Sequence, residues 1–209
     1  MCGIVGYIGE RDVTPVLVNG LKKLEYRGYD SAGIAILKDN QISVVKAKGR
    51  LASLEEKLSS FKLNGHIGIG HTRWATHGEP NDINSHPHIS NNGNIAVVHN
   101  GIIENYMQLK SFLTGKGYKF VSETDTEVIA HLIDYNYKGD LLKAVINTMN
   151  DVEGAYALGV ICSEYPDRFI AARKDSPLIV GLGEKENFIA SDIPAILEYT
   201  RDIYILEDK

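Results

Sequence analysis

The second residue of the chain, Cys2, combines two groups that together could perform nucleophilic chemistry. It follows the initiator Met1, and a residue this small allows the methionine to be removed, which leaves Cys2 as the N-terminus. The thiol is then the nucleophile, and the free α-amine, with a pKa of about 7.7–8.0, is a base suited to neutral pH. An N-terminal amine activates threonine nucleophiles in this way. Because a cysteine at position 2 is usually coincidental, the interpretation depends on the rest of the chain.

The densest group of reactive residue types lies at residues 71–79, where an apolar segment opens into a long polar stretch. Arg73 could hold a carboxylate through its forked guanidinium group. Trp74, the only tryptophan, suits a packing anchor or a lid equally well. Thr76 and His77 offer a hydroxyl, an imidazole and backbone groups. The segment therefore predicts a binding site for a ligand that carries a carboxylate.

Asn100 and Gly101 stand at the predicted end of a short buried strand. An asparagine amide followed by a backbone N–H can form an oxyanion hole. Asn-Gly is also a common turn dipeptide. Taken alone, the two residues favour the turn.

Asp125 lies in the segment Thr124–Glu127, which predicts a capping box and the first turn of a helix. A carboxylate at that place complements the helix dipole. It could also hold an ammonium group, and the local sequence does not choose between the two roles.

Histidines and cysteines raise the question of a metal site. Five of the seven histidines fall between residues 71 and 99, but Pro87 separates His86 from His88, and no H-E-x-x-H or C-x-x-C motif accompanies them. Scattered histidines more often form local hydrogen bonds, so we predict no metal site. Two cysteines make no disulfide framework, and Cys162, at the end of an apolar run, is predicted to be a small buried residue.

The composition limits the class of protein. The chain has 209 residues, of which 44% are hydrophobic and 23% charged, and its formal net charge is −5. This balance argues against a nucleic-acid-binding protein. We find no apolar run long enough to span a membrane and no signal peptide, so we predict a soluble, cytoplasmic protein.

The order of the predicted elements indicates the fold class. Strands over 3–8, 31–37, 42–48 and 67–73 surround two helices, a helical middle follows the polar loop at 75–93, and strands return after Gly154. This order is not the regular alternation of a doubly wound sheet. It predicts an α+β domain in which helices cover antiparallel sheets. No linker divides the chain, so we expect a single domain over residues 1–209.

Several segments occur together and in order, and they carry a resemblance to a known family. They are MCGIVG at 1–6, LEYRGYDSAG at 24–33, HTRWATHGE at 71–79, HNGIIEN at 99–105 and SETDTE at 122–127. With them the chain resembles, over essentially its whole length, the glutaminase domain of the glutamine–fructose-6-phosphate aminotransferases, which are class II amidotransferases. The resemblance implies an N-terminal nucleophile hydrolase fold, an αββα sandwich.

The resemblance also implies roles for individual residues. Glutamine would be hydrolysed to glutamate and ammonia through a γ-glutamyl thioester, without a cofactor or metal. The implied roles are Cys2 as the nucleophile with its α-amine as the base, Asn100 and Gly101 as the oxyanion hole, Arg73 and Asp125 as the clamps on the α-carboxylate and α-ammonium, Thr76 and His77 as further glutamine contacts, and Trp74 with the 74–82 loop as a lid.

In this family a sugar-phosphate isomerase region follows the glutaminase domain, and it is absent from the 209 residues. The resemblance therefore implies an isomerase domain as partner and a homo-oligomeric full enzyme, with no nucleic acid or membrane involved. If Met1 were retained, the α-amine of Cys2 would be tied up in a peptide bond. The alternative is then a non-catalytic module that senses glutamine or serves assembly.

Overall fold

The fold was analysed in a computed structural model, which describes residues 2–61, 63–74 and 78–208. The strands are β1 (Gly3–Ile8), β2 (Ser31–Lys38), β3 (Gln41–Lys48), β4 (Ile67–Arg73), β5 (His88–Ile89), β6 (Ile95–Ile103), β7 (Gly154–Cys162), β8 (Ile170–Lys174), β9 (Ile179–Gly183), β10 (Glu186–Ala190) and β11 (Asp202–Ile205). The helices are α1 (Val13–Leu24), α2 (Leu51–Ser59), α3 (Tyr106–Gly115), α4 (Glu127–Asn136) and α5 (Leu141–Asp151), with short 3₁₀ turns at Glu25–Arg27 and Ile193–Ala195.

The strands form two antiparallel sheets. The larger sheet has seven strands in the order β11-β9-β10-β1-β4-β2-β3, and the smaller has four in the order β5-β6-β7-β8. The N-terminal strand β1 is therefore internal to its sheet, where β4 and β10 hydrogen-bond to its two edges. Hydrogen bonds on both edges therefore fix the backbone of β1, which directly follows Cys2.

Three apolar clusters show how the layers are stacked. One lies between α1, α2 and the larger sheet, and a second between α4, α5 and the smaller sheet. The third fills the gap between the two sheets, with Ile4, Ile69, Val98 and Ile161 among its members. The order of layers is thus helix, sheet, sheet, helix, which confirms the predicted α+β sandwich. Among the described residues, none of the helices combines the length and apolar character needed to cross a membrane.

Local signals in the sequence account for several element ends. The side chain of Asp12 accepts a hydrogen bond from the Thr14 N–H at 3.2 Å and caps α1, and Asp140 caps α5 in the same way. Asp39 and Asn40, both with positive φ, form the two-residue turn between β2 and β3, as type I′ hairpins require. Cys162 is fully buried, as predicted.

Residues 75–93 were predicted to form a long polar loop. The described part of it, residues 78–93, contains the short strand β5, which the sequence did not indicate. Asn84 is buried and anchors the loop, because its Nδ2 donates to the Glu79 carbonyl at 3.0 Å and to the Glu123 carboxylate at 3.1 Å. On the other side, Lys46 Nζ donates to the Ile83 carbonyl at 3.1 Å. The loop is therefore tied both to β3 and to the segment before α4.

The predicted capping box at the start of α4 is wrong. Thr126 is the N-cap residue and makes no side-chain capping bond, and the helix begins at Glu127. The Glu127 carboxylate instead accepts hydrogen bonds from the Val121 N–H at 2.9 Å and from the Ser122 N–H and hydroxyl at 2.7 Å each. A buried carboxylate thus holds residues 121–125 against the helix end, and the local capping pattern is not used.

The electrostatics of Glu127 follow from these contacts. Burial alone would raise the pKa of its carboxyl, but the His131 ring and the donors of Val121 and Ser122 lower the pKa to about 2 from an ordinary 4.5. Because the folded pKa is depressed, the ionised carboxylate stabilises the fold fully above pH 4.5, and this contribution disappears as the pH falls through 2.

We expect Glu127→Gln to lower the free energy of unfolding at pH 7 by about 2–3 kcal/mol, because hydrogen bonds to a charged acceptor are replaced by weaker or mismatched ones. Denaturant melts at a series of pH values measure this loss. The difference from the unchanged protein should shrink as the pH is lowered from 5 towards 2. The exposed Glu56 provides a matched control, Glu56→Gln. A Glu127→Gln loss that does not depend on pH would contradict the role assigned to the charge.

Candidate active site

A cavity of about 310 Å³ opens at one end of the gap between the two sheets. Six of the eight residues singled out from the sequence line it, namely Cys2, Arg73, Trp74, Asn100, Gly101 and Asp125. The other two, Thr76 and His77, lie outside the described residues. Residues that the sequence analysis did not single out also line the cavity, including Arg27, His99, Thr126 and Ser176.

Strand alternation explains why these side chains meet. In β4, Ile67 and Ile69 point into the gap between the sheets. Because side chains alternate between the two faces of a strand, those of His71 and Arg73 point the same way. In β6 of the facing sheet, Ala96 and Val98 point into the gap, and Asn100 continues that series. Polar residues thus replace apolar ones at the open end of a shared core.

Cys2 is partly buried, and its surroundings fix both its thiol and its carbonyl group. The Trp74 N–H donates to the Cys2 Sγ at 3.2 Å. The Cys2 carbonyl oxygen accepts hydrogen bonds from Arg27 Nε at 3.1 Å and from Asn100 Nδ2 at 3.2 Å. Burial raises the pKa of the thiol, and the Trp74 N–H opposes this only in part. At neutral pH the thiol is therefore protonated and needs a base to become a nucleophile.

Asn100 and Gly101 do not form the turn that their types favour. Strand β6 runs through both residues to Ile103, with Asn100 opposite Ala157 and Gly101 opposite Tyr156 in β7. Gly101 has a φ of 130°, and a β-carbon there would overlap the Ala155 carbonyl oxygen. The position therefore requires glycine as part of the strand. The long-range pairing with β7 overrides the local turn preference.

Arg73 and Asp125 bring opposite charges into the cavity. Arg73 is 3% exposed, and its Nη2 donates to the Gly78 carbonyl at 2.9 Å. Asp125 is 5% exposed and accepts a hydrogen bond from the Ile103 N–H at 2.9 Å. It precedes α4, so its predicted place in the first turn of that helix is wrong. The backbone of Asp125 belongs to the segment 121–125, which Glu127 and Asn84 hold in place through hydrogen bonds.

Four of the histidines form a buried cluster at the base of the cavity, which His86 and His99 help to line. The rings of His71 and His86 stack with centroids 4.1 Å apart, and His88 meets His86 edge-on at 4.8 Å. The Thr126 hydroxyl bridges His86 Nε2 at 2.9 Å and His99 Nδ1 at 2.8 Å. Burial lowers the pKa of all four rings, that of His71 to about 3, so they are neutral near pH 7. Within the described residues, no group of three or more His, Cys, Asp and Glu could hold a metal ion.

Trp74 is 49% exposed at the mouth of the cavity, and its ring meets Tyr29 edge-on with centroids 5.4 Å apart. The side chain is therefore not a core anchor. Its backbone N–H contacts the thiol while its ring borders solvent, which is compatible with a covering role.

Arg27 was not among the residues predicted for the site, although it lies in the segment 24–33 that carries part of the family resemblance. The guanidinium group bonds Cys2 on one side and Asp192 on the other, with Nη1 3.0 Å from the Asp192 carboxylate. Asp192 lies 165 residues further along the chain, so no spacing rule connects the two. The one signal in the sequence was that Arg27 is a charged residue within the motif LEYRGYDSAG at 24–33.

A comparison with protein families finds that residues 71–198 match the model described as a glutamine amidotransferase domain. A protein of Clostridium tetani named glutamine–fructose-6-phosphate aminotransferase (isomerizing) is 68% identical over 208 residues, and one of the same name from Thermus thermophilus is 55% identical. Each alignment covers 100% of this chain but 34% of the relative. The chain thus spans about a third of the length of these relatives.

Among solved structures, a glutamine phosphoribosylpyrophosphate amidotransferase from B. subtilis, complexed with ADP and GMP, superposes with a TM-score of 0.83 at 29% identity. The match covers 98% of this chain and 44% of that one. This likeness supports the expected N-terminal nucleophile hydrolase sandwich. Since the family model covers well over half of its residues, the chain belongs to the glutamine amidotransferase family.

Proposed function

We propose that this chain hydrolyses L-glutamine to L-glutamate and ammonia through a γ-glutamyl thioester on Cys2. The observation that carries the proposal is the meeting, in one cavity, of a thiol, an amide donor and a pair of opposite charges. Amide hydrolysis needs a nucleophile, a base and an oxyanion hole. Glutamine in addition has a zwitterionic head, which needs one cationic and one anionic partner.

The raised pKa of the Cys2 thiol makes the base essential. Once Met1 is removed, the α-amine of Cys2 takes the thiol proton through a water molecule, and Sγ attacks the side-chain carbonyl carbon of glutamine. The resulting oxyanion is stabilised by Asn100 Nδ2 and the Gly101 N–H. The protonated amine then gives its proton to the departing ammonia. Water attacks the thioester by the same route and releases glutamate.

Selection of glutamine is assigned to the two charged residues. Arg73 holds the α-carboxylate through its fork, and Asp125 holds the α-ammonium. Both are buried, so their contacts with the substrate are poorly screened by solvent. Thr76 and His77 remain expected glutamine contacts, and Trp74 with the 74–82 loop remains the expected lid.

In the whole protein we propose that the ammonia serves the synthesis of glucosamine 6-phosphate from fructose 6-phosphate. The support is the name of the relatives, of which this chain covers about a third. A single glutaminase domain over residues 1–209 would then act beside a sugar isomerase domain in a homo-oligomer. The 209 residues alone should release free ammonia and make no amino sugar.

We expect Cys2→Ala to abolish ammonia release while glutamine still binds, because the thiol is lost and Arg73 and Asp125 remain. A coupled ammonia assay and calorimetric titration with glutamine measure the two properties. Cys162→Ala, at the buried cysteine, is the matched control and should stay active. Substantial ammonia release by Cys2→Ala would refute the nucleophile.

A form that retains Met1, verified by its intact mass, should be almost inactive because the base is blocked. Full activity of that form would place the base elsewhere. If the form that lacks Met1 bound glutamine without hydrolysing it, the sensing or assembly alternative would replace the enzyme.

Asn100→Ala should lower kcat by about 10²–10³ with little change in KM, as expected for the loss of one oxyanion donor. Steady-state kinetics separate the two constants. Asn100→Asp keeps the size of the side chain but replaces the donor by an oxygen, and it should be at least as slow. A change mainly in KM would instead make Asn100 a substrate contact.

Arg73→Ala and Asp125→Asn should each raise KM by roughly ten- to a hundredfold, since hydrogen bonds to charged groups contribute about 1.5–3 kcal/mol each. With the unchanged protein, a glutamine analogue without the α-carboxylate should show the same rise in KM as glutamine shows with Arg73→Ala. With Arg73→Ala, removal of the α-carboxylate should raise KM little further. If the losses from analogue and variant simply added, Arg73 would not contact the carboxylate.

A further inference from the structure

One buried residue next to the cavity has no part in the chemistry described above. His71 is fully buried near the end of β4 and is not among the residues that line the cavity. Its Nε2 lies 3.0 Å from Asn100 Oδ1 and 3.0 Å from the His99 carbonyl oxygen. It therefore reaches from the larger sheet to the smaller one and contacts the side chain assigned to the oxyanion hole.

The orientation of the Asn100 amide follows from its other contact. Asn100 Nδ2 donates to the Cys2 carbonyl oxygen at 3.2 Å, and a carbonyl oxygen can only accept. The Oδ1 atom must then be the one that faces His71. Since the His99 carbonyl is also an acceptor, both neighbours of His71 Nε2 need a proton from it.

The protonation state of His71 agrees with this geometry. The neutral ring carries one proton, and the two acceptors place it on Nε2. His71 Nδ1 is buried and makes no hydrogen bond with the described residues, as expected for the nitrogen that lacks the proton. The ring cannot turn freely, because His86 stacks on it at 4.1 Å and is itself held by Thr126 at 2.9 Å.

A half-turn of the Asn100 amide would make every one of these contacts unfavourable. The NH₂ group would face the His71 N–H, and the oxygen would face the Cys2 carbonyl and the site of the developing negative charge. A buried donor or acceptor left without a partner is costly. His71 thus disfavours the orientation in which Asn100 could not stabilise an oxyanion.

We propose that His71 is a positioning residue that fixes the Asn100 amide with its NH₂ group toward the reacting carbonyl. This inference rests on the proposed function, since it gives Asn100 the role of oxyanion donor. His71 does not touch the substrate. Its contribution appears only through Asn100, in the transition state.

A pair of variants separates the donor from the bulk of the ring. His71→Gln keeps an N–H donor at a similar reach, whereas His71→Met has similar length and no donor. Both lose the stacking on His86, so purely structural losses are shared. We expect His71→Met to lower kcat by about ten- to a hundredfold, with KM changed by less than about threefold, and His71→Gln to recover most of kcat. Equal kcat values for the two variants would overturn the proposal.

A double-variant cycle tests whether the effect passes through Asn100. In an Asn100→Ala background, His71→Met should lower kcat no further, because the group it positions is gone. A full additional loss in that background would also overturn the proposal. If Asn100→Ala itself left kcat unchanged, the proposed oxyanion hole would fail. If Asn100→Ala were slow but His71→Met had a normal kcat, only the role of His71 would be refuted, and the proposed oxyanion hole would stand.

A measurement on the unchanged protein does not depend on the folding of any variant. Nitrogen-15 NMR of the histidine rings reports which nitrogen carries the proton. We expect the Nε2–H tautomer of His71 across pH 6–8. A proton on Nδ1, or a charged ring in that range, would contradict the proposed hydrogen bond to Asn100.

Discussion

The hydrogen bond from the Asn100 amide to the Cys2 carbonyl oxygen, 3.2 Å long, joins the two sheets at the open end of their shared gap. Cys2 immediately precedes β1 in the larger sheet, and Asn100 lies in β6 of the smaller one. The contact forms only because the apolar cluster between the sheets sets their separation. Arg27 bonds the same carbonyl oxygen, so the 3₁₀ turn at Glu25–Arg27 and strand β6 together fix the backbone of the residue that carries the thiol.

Burial removes the histidine rings of this region from the groups that carry charge. The histidines at the base of the cavity are neutral near pH 7, because removal from water penalises the charged ring. The charge of Arg27 is already paired with Asp192. Arg73 and Asp125 bring opposite charges to the same cavity. A small zwitterion complements such a cavity better than an anion or a cation would.

The segment that carries Asp125 shows how a buried charge replaces a local motif. Glu127 binds three donors of Val121 and Ser122, and Asn84 bonds Glu123 from a different loop. These contacts hold Asp125 outside the helix and facing the cavity. A residue in the first helical turn, as the capping pattern predicted, would have been positioned by the helix alone.

The sequence by itself determined the features that depend on local patterns or on specific motifs. Asp12 and Asp140 cap their helices through local hydrogen bonds, strand alternation and helical periodicity predicted the layered fold, and the motif resemblance agrees with the family match. The tertiary structure decided what depends on distant partners. Asn100 and Gly101 belong to a strand because β7 pairs with them, more than 50 residues away. The partners of Arg27 and His71 likewise come from other strands and turns. No local pattern reports such contacts, because they exist only once the two sheets have packed together.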